Sequence, residues 1–578
     1  MLWGSPAPRT RRQGGHPVPY TPAAAEALLT APGAPFAVER GPDGVPVYAG
    51  GPRTLREFVE VTWAYGDRPF LVAESGTHTY AQFFAAASAL ARRLVEVYGL
   101  RPGDRAVVAM RNLPEWHIAF WAAQLAGLVA VPLNAWWTEA ELAYALDDCA
   151  PGVLLVDGER LARVERWARG ARVPGVVFEG AGPLPEGFEA YEDLGPADPA
   201  AGPPDVTVAP EDDATIIYTS GTTGRPKGAV ATHLAQAGAA MNPRFHAAAS
   251  ALGRGLVPGQ GPAPVSLVTY PFFHVAGFSG FYSVMGSGGT LVMMRKWDAR
   301  RALALIREHG VTHYAGVPTT ALQLLDEAER AGDPLESLRM FNTGGSTAPP
   351  TLVARLTERY GERIEPRNGY GLTETSGGVL ANFGAEYREW PGSVGRPTPT
   401  TEVRVVDRSG ADVPDGEVGE LWLRAQANVR GYWNDPAATE LAFVDGWFRT
   451  GDLAVARDGR FAVVDRIKDV VIRGGENVYC VEVESVLHGH PAVRDVAVVG
   501  VPHGLLGEEV AAVVQVSTTV TPDDLRRYAS RVLAAFKVPA HVLVRTVPLP
   551  RNATGKILKR ELRAEVSATL KPPTPPLP

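Results

Sequence analysis

Short apolar runs alternate with amphipathic helical patterns over most of the chain. Residues 105–110 (RAVVAM) predict a buried strand, followed by a helix from about Pro114. Residues 153–156, 214–218, 267–270 and 291–294 continue the series of short apolar strands. Apolar strands separated by helical patterns predict helix-flanked, mostly parallel sheets. Residues 401–407 (TEVRVVD) and 420–424 (ELWLR) instead alternate apolar with polar, the period of half-exposed antiparallel strands. Past 465–469 (DRIKD) about a hundred residues carry their own strands, at 495–501 and 511–516, enough for a small α+β domain. The longest apolar stretch, 118–133, is interrupted by Gln124 and Pro132 and falls short of the roughly 18 residues of a membrane span. It predicts a buried helix running into a strand.

Composition narrows the class. The 578 residues contain 45% hydrophobic and 21% charged residues, ordinary for a globular chain. The 62 glycines and 50 prolines exceed the usual share of roughly 12%, and their clusters at 180–204 and 253–264 predict surface loops. The first twenty residues and the Pro-rich tail, 569–578, predict extended, loosely held chain. A net charge of −7 argues against nucleic acid as partner. With Cys149 and Cys480 alone, a disulfide scaffold is excluded and a reducing compartment is expected. The arginines at 9, 11 and 12 precede no apolar run, so no secretion signal is read and the expected location is cytoplasmic.

The most informative segment is 218–228, YTSGTTGRPKG, read as following a strand and preceding an Ala-rich helix. Its glycines, among them Gly221 and Gly224, permit sharp turns. Thr219, Ser220, Thr222 and Thr223 offer hydroxyl donors, and Lys227 adds a cation; together they suit a polyphosphate. Pro226 stands where a Walker A loop needs glycine. In 368–375 (NGYGLTET), Tyr370 offers a flat ring beside Gly369 and Gly371, Thr373 a donor, and Glu374 a hard oxygen ligand suited to Mg²⁺. Taken singly, such a segment also reads as a glycine-rich turn. Asp452 (FRTGDL) and Arg466 read equally as surface ion-pair residues, Lys556 as a solvated lysine, and His274 (PFFHVAGF) as a packed histidine. No zinc-type cluster exists among the twelve histidines, and no Gly-x-Ser-x-Gly elbow is present.

The loop at 218–228 resembles the phosphate loop of the adenylate-forming superfamily. Segments 342–349 (NTGGSTAP), 368–375, 448–453, 465–478 (DRIKDVVIRGGENV) and 550–562 (PRNATGKILKREL) follow in that superfamily's order, so the resemblance runs from about 50 to 565. It implies an α/β fold: a large N-terminal domain of helix-flanked sheets with a β-barrel-like subdomain, and a small mobile α+β C-terminal domain. The corresponding division is an extension at 1–49, the adenylate-forming domain at 50–465, the mobile domain at 466–568 and the tail.

The resemblance also implies roles. Thr219 to Gly224 and Lys227 cradle the phosphates of ATP. Gly344 and Gly345 lie along adenine and acyl group, and Asn368, Tyr370 and Gly371 form the nucleobase slot. Thr373 donates to a phosphate, Glu374 holds Mg²⁺, and Asp452 and Arg466 hold the ribose. Lys556 bridges the attacking carboxylate and the α-phosphate, and His274 stands at the mouth of the acyl pocket. Lys468 marks the hinge, and Gly475 belongs to the loop brought in for transfer to a thiol. The implied activity is that of an acyl-CoA synthetase, using ATP, Mg²⁺ and CoA to make acyl-AMP and then a thioester. An acyl carrier protein is the alternative acceptor. Gly371 stands where acetate-restricted members carry Trp and is read as leaving room for a longer acyl group. His274-Val275-Ala276 stands where amino-acid adenylation domains place an Asp. A medium or long fatty acid is therefore expected, with an aryl acid as the alternative. Cys480 occupies a position that is usually proline in the family.

Overall fold

The computed structural model describes residues 19–180, 182–219, 225–346, 348–552 and 555–570. Most of residues 1–20 and of the tail therefore lie outside it. Two large sheets sandwich a layer of helices. In the first, the parallel strands Val129–Pro132, Arg105–Ala109, Val153–Asp157 and Gly175–Phe178 lie side by side. Asp213–Tyr218 joins that row in parallel and pairs antiparallel with Gly228–Thr232. The second sheet has Pro69–Ala73, Thr290–Val292, Val265–Val268, His313–Gly316, Met340–Gly344 and Glu365–Leu372 in parallel, then Gly377–Phe383 antiparallel.

Helix Pro114–Leu125 is buried on nearly all sides, which explains its lack of a polar face. Trp116, Phe120 and Trp121 pack there with Phe278, Phe281 and Tyr282 of helix Val275–Gly286, so one aromatic core joins both sheets. The stretch at 118–133 is thus a helix ending at Leu125 and a strand from Val129, as its pattern predicts. No described helix is long and apolar enough to cross a membrane.

The alternating strands at 401–407 and 420–424 form the antiparallel pair Thr401–Val406 and Val418–Ala425. The second runs on to Trp447–Arg457, which pairs with Arg460–Arg466. This sheet shares its core with Val379 and Leu380 of the second large sheet. Beyond residue 470, strands Val471–Arg473, Glu476–Val478, Val493–His503, Gly507–Val516 and His541–Arg545 form a separate sheet with its own apolar cores. The described part of the N-terminal segment, helix Pro22–Thr30 and strands Val38–Arg40 and Pro46–Tyr48, packs on helix His233–Gly253 through Leu29, Phe36 and Tyr48.

Candidate active site

The ends of the second sheet's parallel strands bring several of the expected residues to one edge, where α/β folds bind ligands. Strand Met340–Gly344 ends at Gly344, and a Cβ there would stand 3.2 Å from the Gly369 carbonyl. Gly345 follows with φ of +78°, a turn that a side chain would strain. Asn368 pairs with Thr343 across the strands, and Tyr370 lies two residues further along.

Tyr370 donates its hydroxyl proton to Asp452 Oδ2 at 2.7 Å. Asp452 is 3% exposed and is held by register, opposite Arg466 in the neighbouring strand. Arg466 Nε approaches Asp452 Oδ1 to 2.9 Å. That contact is a charge contact without hydrogen-bond alignment, so Oδ1 is a buried carboxylate oxygen with no hydrogen-bond donor. A buried acceptor of this kind is costly unless a ligand hydroxyl meets it.

Glu374 sits in the single turn Thr373–Thr375. Its Oε1 accepts from the Tyr432 hydroxyl at 2.8 Å, and Lys227 Nζ stands 5.0 Å from the centroid of the same tyrosine ring. Tyr432 therefore couples the loop cation to the acidic residue. The sequence motifs do not contain it; its place on strand Gly431–Tyr432, paired with Ala229 and Val230, is a matter of folding alone. Among the described residues no three His, Cys, Asp or Glu converge as a metal site. A Mg²⁺ here would take Glu374 and complete its shell with phosphate oxygens and water, the usual arrangement for a nucleotide-bound magnesium.

The loop itself departs from expectation. Thr219 and Lys227 close the hairpin of strands Asp213–Tyr218 and Gly228–Thr232, with Thr219 N–H donating to the Lys227 carbonyl at 2.8 Å. The segment leads into a strand, GAVAT, and only then into the helix, whose cap is Thr232. Small residues that pair edge to edge account for the difference. Ser220, Gly221, Thr222, Thr223 and Gly224 lie outside the described residues.

Lys556 comes from the far end of the chain. Asn552 Oδ1 accepts from its backbone N–H at 2.9 Å, and Gly555, with φ of +82°, sets the turn against Val317 of the large sheet's segment. Burial lowers its pKa to about 8; Arg466 and Lys468 push the same way, while Asp452 and Glu374 oppose. The lysine is thus close enough to feel both carboxylates. His274 caps helix Val275–Gly286, its Nδ1 accepting from Ala276 N–H at 3.2 Å. Burial and the Lys556 charge lower its pKa to about 3, which leaves it neutral with the proton on Nε2. The backbone bond of a packed histidine and a position beside the site occur together.

One expectation needs correction. Gly371 leaves no open space: a Cβ there would lie 1.9 Å from the Gly377 carbonyl, so the neighbouring strand already fills the volume. Room for a longer acyl group must be sought elsewhere. Gly475, with Gly474, forms the exposed tip of the hairpin Val471–Val478, both with positive φ.

Lys468 lies in the turn between Arg466 and that hairpin; burial and Arg466 lower its pKa. Across this turn, Cys480 N–H donates to Asp465 Oδ2 at 2.5 Å and its thiol donates to the Asp469 carbonyl at 3.0 Å. Burial raises the Asp465 pKa to about 6. Proline could not supply the N–H, yet it suits the first turn of helix Cys480–His488. Cys480→Pro should therefore fold and lose a bond worth roughly 1.5–3 kcal/mol. Adenylate formation is expected to slow about tenfold, while thioester formation from supplied acyl adenylate holds steady in stopped-flow assays. Equal slowing of both steps would show that the contact does not favour the present arrangement.

Comparison with known proteins fixes the class that this geometry suggests. Residues 59–433 match the AMP-binding enzyme family, and 482–556 match the AMP-binding enzyme C-terminal domain. The chain is 36% identical over 491 residues to a feruloyl-CoA synthase of Amycolatopsis sp, covering 84% of this chain and 93% of the relative. It is 35% identical over 499 residues to a long-chain fatty-acid–CoA ligase of Mycobacterium tuberculosis, covering 85% and 94%. The solved structure of o-succinylbenzoate CoA synthetase from Bacillus subtilis with its acyl-adenylate intermediate superposes with a TM-score of 0.73 at 30% identity, covering 88% of this chain and 97% of that one. The chain belongs to the AMP-binding, adenylate-forming enzyme family. Within it, this is an AMP-forming acid–CoA ligase, working with ATP, Mg²⁺ and CoA.

Proposed function

We propose that the enzyme activates an elongated, largely apolar carboxylic acid, of medium or long chain, and passes the acyl group to CoA. The observation that supports this reading best is the buried Asp452, which accepts the Tyr370 hydroxyl and faces Arg466, with Lys556 within the field of both Asp452 and Glu374. Asp452 Oδ1 accepts a ribose hydroxyl, and the Tyr370 ring flanks the base. Lys556 pairs with the carboxylate as it attacks the α-phosphate, and pyrophosphate leaves. Negative charge gathers on the phosphoryl oxygens, where Lys556, Lys227 and Thr373 stabilise it. When bound at Glu374, Mg²⁺ supplies further charge neutralisation. Turning the segment after Lys468 then withdraws Lys556 and admits the hairpin at Gly475, so that the thiol displaces AMP.

The acid is read as apolar because nothing acidic stands at His274-Val275-Ala276 to hold an α-ammonium group. The half-buried face of helix Val275–Gly286 also carries only small side chains, Ala276, Ser279 and Ser283. The test is AMP release from ATP and Mg²⁺ over fatty, cinnamic and benzoic acids, each with CoA, with a pantetheinylated carrier protein and with neither. CoA-dependent release peaking among the fatty acids is expected. A peak among aryl acids would replace the acid class, and release that responds to the carrier alone would replace the acceptor.

A further inference from the structure

Helix Val275–Gly286 leads away from His274 for 12 residues, about 18 Å at 1.5 Å per residue. Val275, Phe278, Phe281, Tyr282 and Met285 bury one side in the aromatic core. The other side meets strand Gly377–Phe383, where Gly378 N–H donates to Ser279 Oγ at 3.4 Å. At the far end of this side stands Arg244, from helix His233–Gly253. Its side chain crosses Gly286, where an added Cβ would lie 2.8 Å from Arg244 Cδ and 3.4 Å from Nε. Glycine at 286 is therefore what lets the guanidinium reach this end of the helix.

The guanidinium is poorly matched by the protein. Its hydrogen-bond partner is the Met241 sulfur, 3.5 Å from Nη1, a weak acceptor. The titratable group facing it is the Tyr65 phenol, whose hydroxyl is already committed to the Gly286 carbonyl at 3.2 Å. Among the described residues no carboxylate pairs with it, and burial lowers its pKa. Other half-buried arginines in the chain have oxygen partners: Arg367 has Glu365, Arg93 has Glu189, and Arg92 and Arg388 have backbone carbonyls. A partly desolvated cation without a counterion is unfavourable unless an anion arrives from outside.

We propose that Arg244 receives a second carboxylate at the far end of the substrate, so that the acid is an α,ω-dicarboxylic acid. The inference rests on the activation of an elongated acid at Lys556. One carboxylate attacks the α-phosphate beside His274 and Lys556, and the chain runs along Ala276, Ser279 and Ser283. The other carboxylate stays ionised and pairs with the guanidinium, in the planar geometry that arginine offers. A monocarboxylic acid of the same length would instead place a methyl group against an unpaired cation. Sites that leave a buried polar group unpaired discriminate strongly against such analogues.

The test measures kcat/KM for AMP release with matched pairs of monocarboxylic and dicarboxylic acids, from hexanoic and adipic to hexadecanoic and hexadecanedioic acid. Wild type and Arg244→Met are compared, with CoA saturating. A dicarboxylic preference of about a hundredfold at the best length is expected in the wild type. In Arg244→Met that ratio should collapse towards one, and in Arg244→Lys it should be intermediate. A wild-type preference for monocarboxylic acids, or an equal ratio in all three proteins, would overturn the proposal. The wild-type ratio decides even where a variant folds badly. Failure of the underlying reading looks different, because then no acid of either series releases AMP.

Discussion

Lys556→Ala is expected to depress adenylate formation by two to three orders of magnitude while sparing thioester formation from supplied acyl adenylate. On the proposed assignment the lysine touches only the first transition state. Removing one preorganised charge contact from such a site costs on the order of 3 kcal/mol in the barrier, roughly a hundredfold or more. Pyrophosphate release reports the first half-reaction, and CoA-dependent AMP release from synthetic acyl adenylate reports the second. Equal losses in both would remove the lysine from its role.

The same residue carries a pH signature. Burial lowers its pKa to about 8, so in the free enzyme the cation is the main form at neutral pH and is lost as pH rises through that value. Since kcat/KM reports free-enzyme groups, kcat/KM for ATP should fall on the alkaline side with an apparent pKa near 8. Lys556→Ala should have no such limb in its residual rate.

How far the sequence foretold this site depended on what fixes each part. The strands were legible because their period is local: the alternation at 420–424 became strand Val418–Ala425 with alternate residues buried. The family motifs pointed to Tyr370, Glu374, Asp452 and Lys556; the structure bonds Tyr370 to Asp452 and puts Lys556 in the field of Asp452 and Glu374, although almost two hundred positions separate the first from the last. Tyr432 was not legible, because it acquires its neighbours Glu374 and Lys227 only through a two-residue strand formed by distant pairing. Gly371 was misread for a related reason. Sequence shows the absence of a side chain, but not that the Gly377 carbonyl occupies the vacated volume. Arg244 carried no signal either, since an arginine in an Ala-rich helix is ordinarily solvated, and only the packing against Gly286 and Tyr65 withholds a counterion from it.

Asp452→Asn tests the nucleotide half of the site and its coupling to the lysine. The carboxylate is buried, accepts the Tyr370 hydroxyl and faces Arg466, so neutralising it leaves an arginine without its charge partner. Breaking one side of a buried pair costs about 3–5 kcal/mol, and loss of a charged acceptor for a ribose hydroxyl adds to the penalty in ATP binding. A fall in kcat/KM for ATP of at least a hundredfold is expected, with folding followed separately by thermal melting. Two finer readouts distinguish a ribose contact from a purely structural loss. Wild type should discriminate between ATP and its 2′- and 3′-deoxy analogues, and Asp452→Asn much less, because the charged carboxylate oxygen left without a hydrogen-bond donor is lost. Asp452 also raises the pKa of Lys556 against the effect of burial. Its neutralisation should therefore lower that pKa further, moving the alkaline limb of the pH profile below 8. Retained discrimination between the nucleotides would reject the ribose assignment, and an unmoved alkaline limb would show that the two groups do not act in one field.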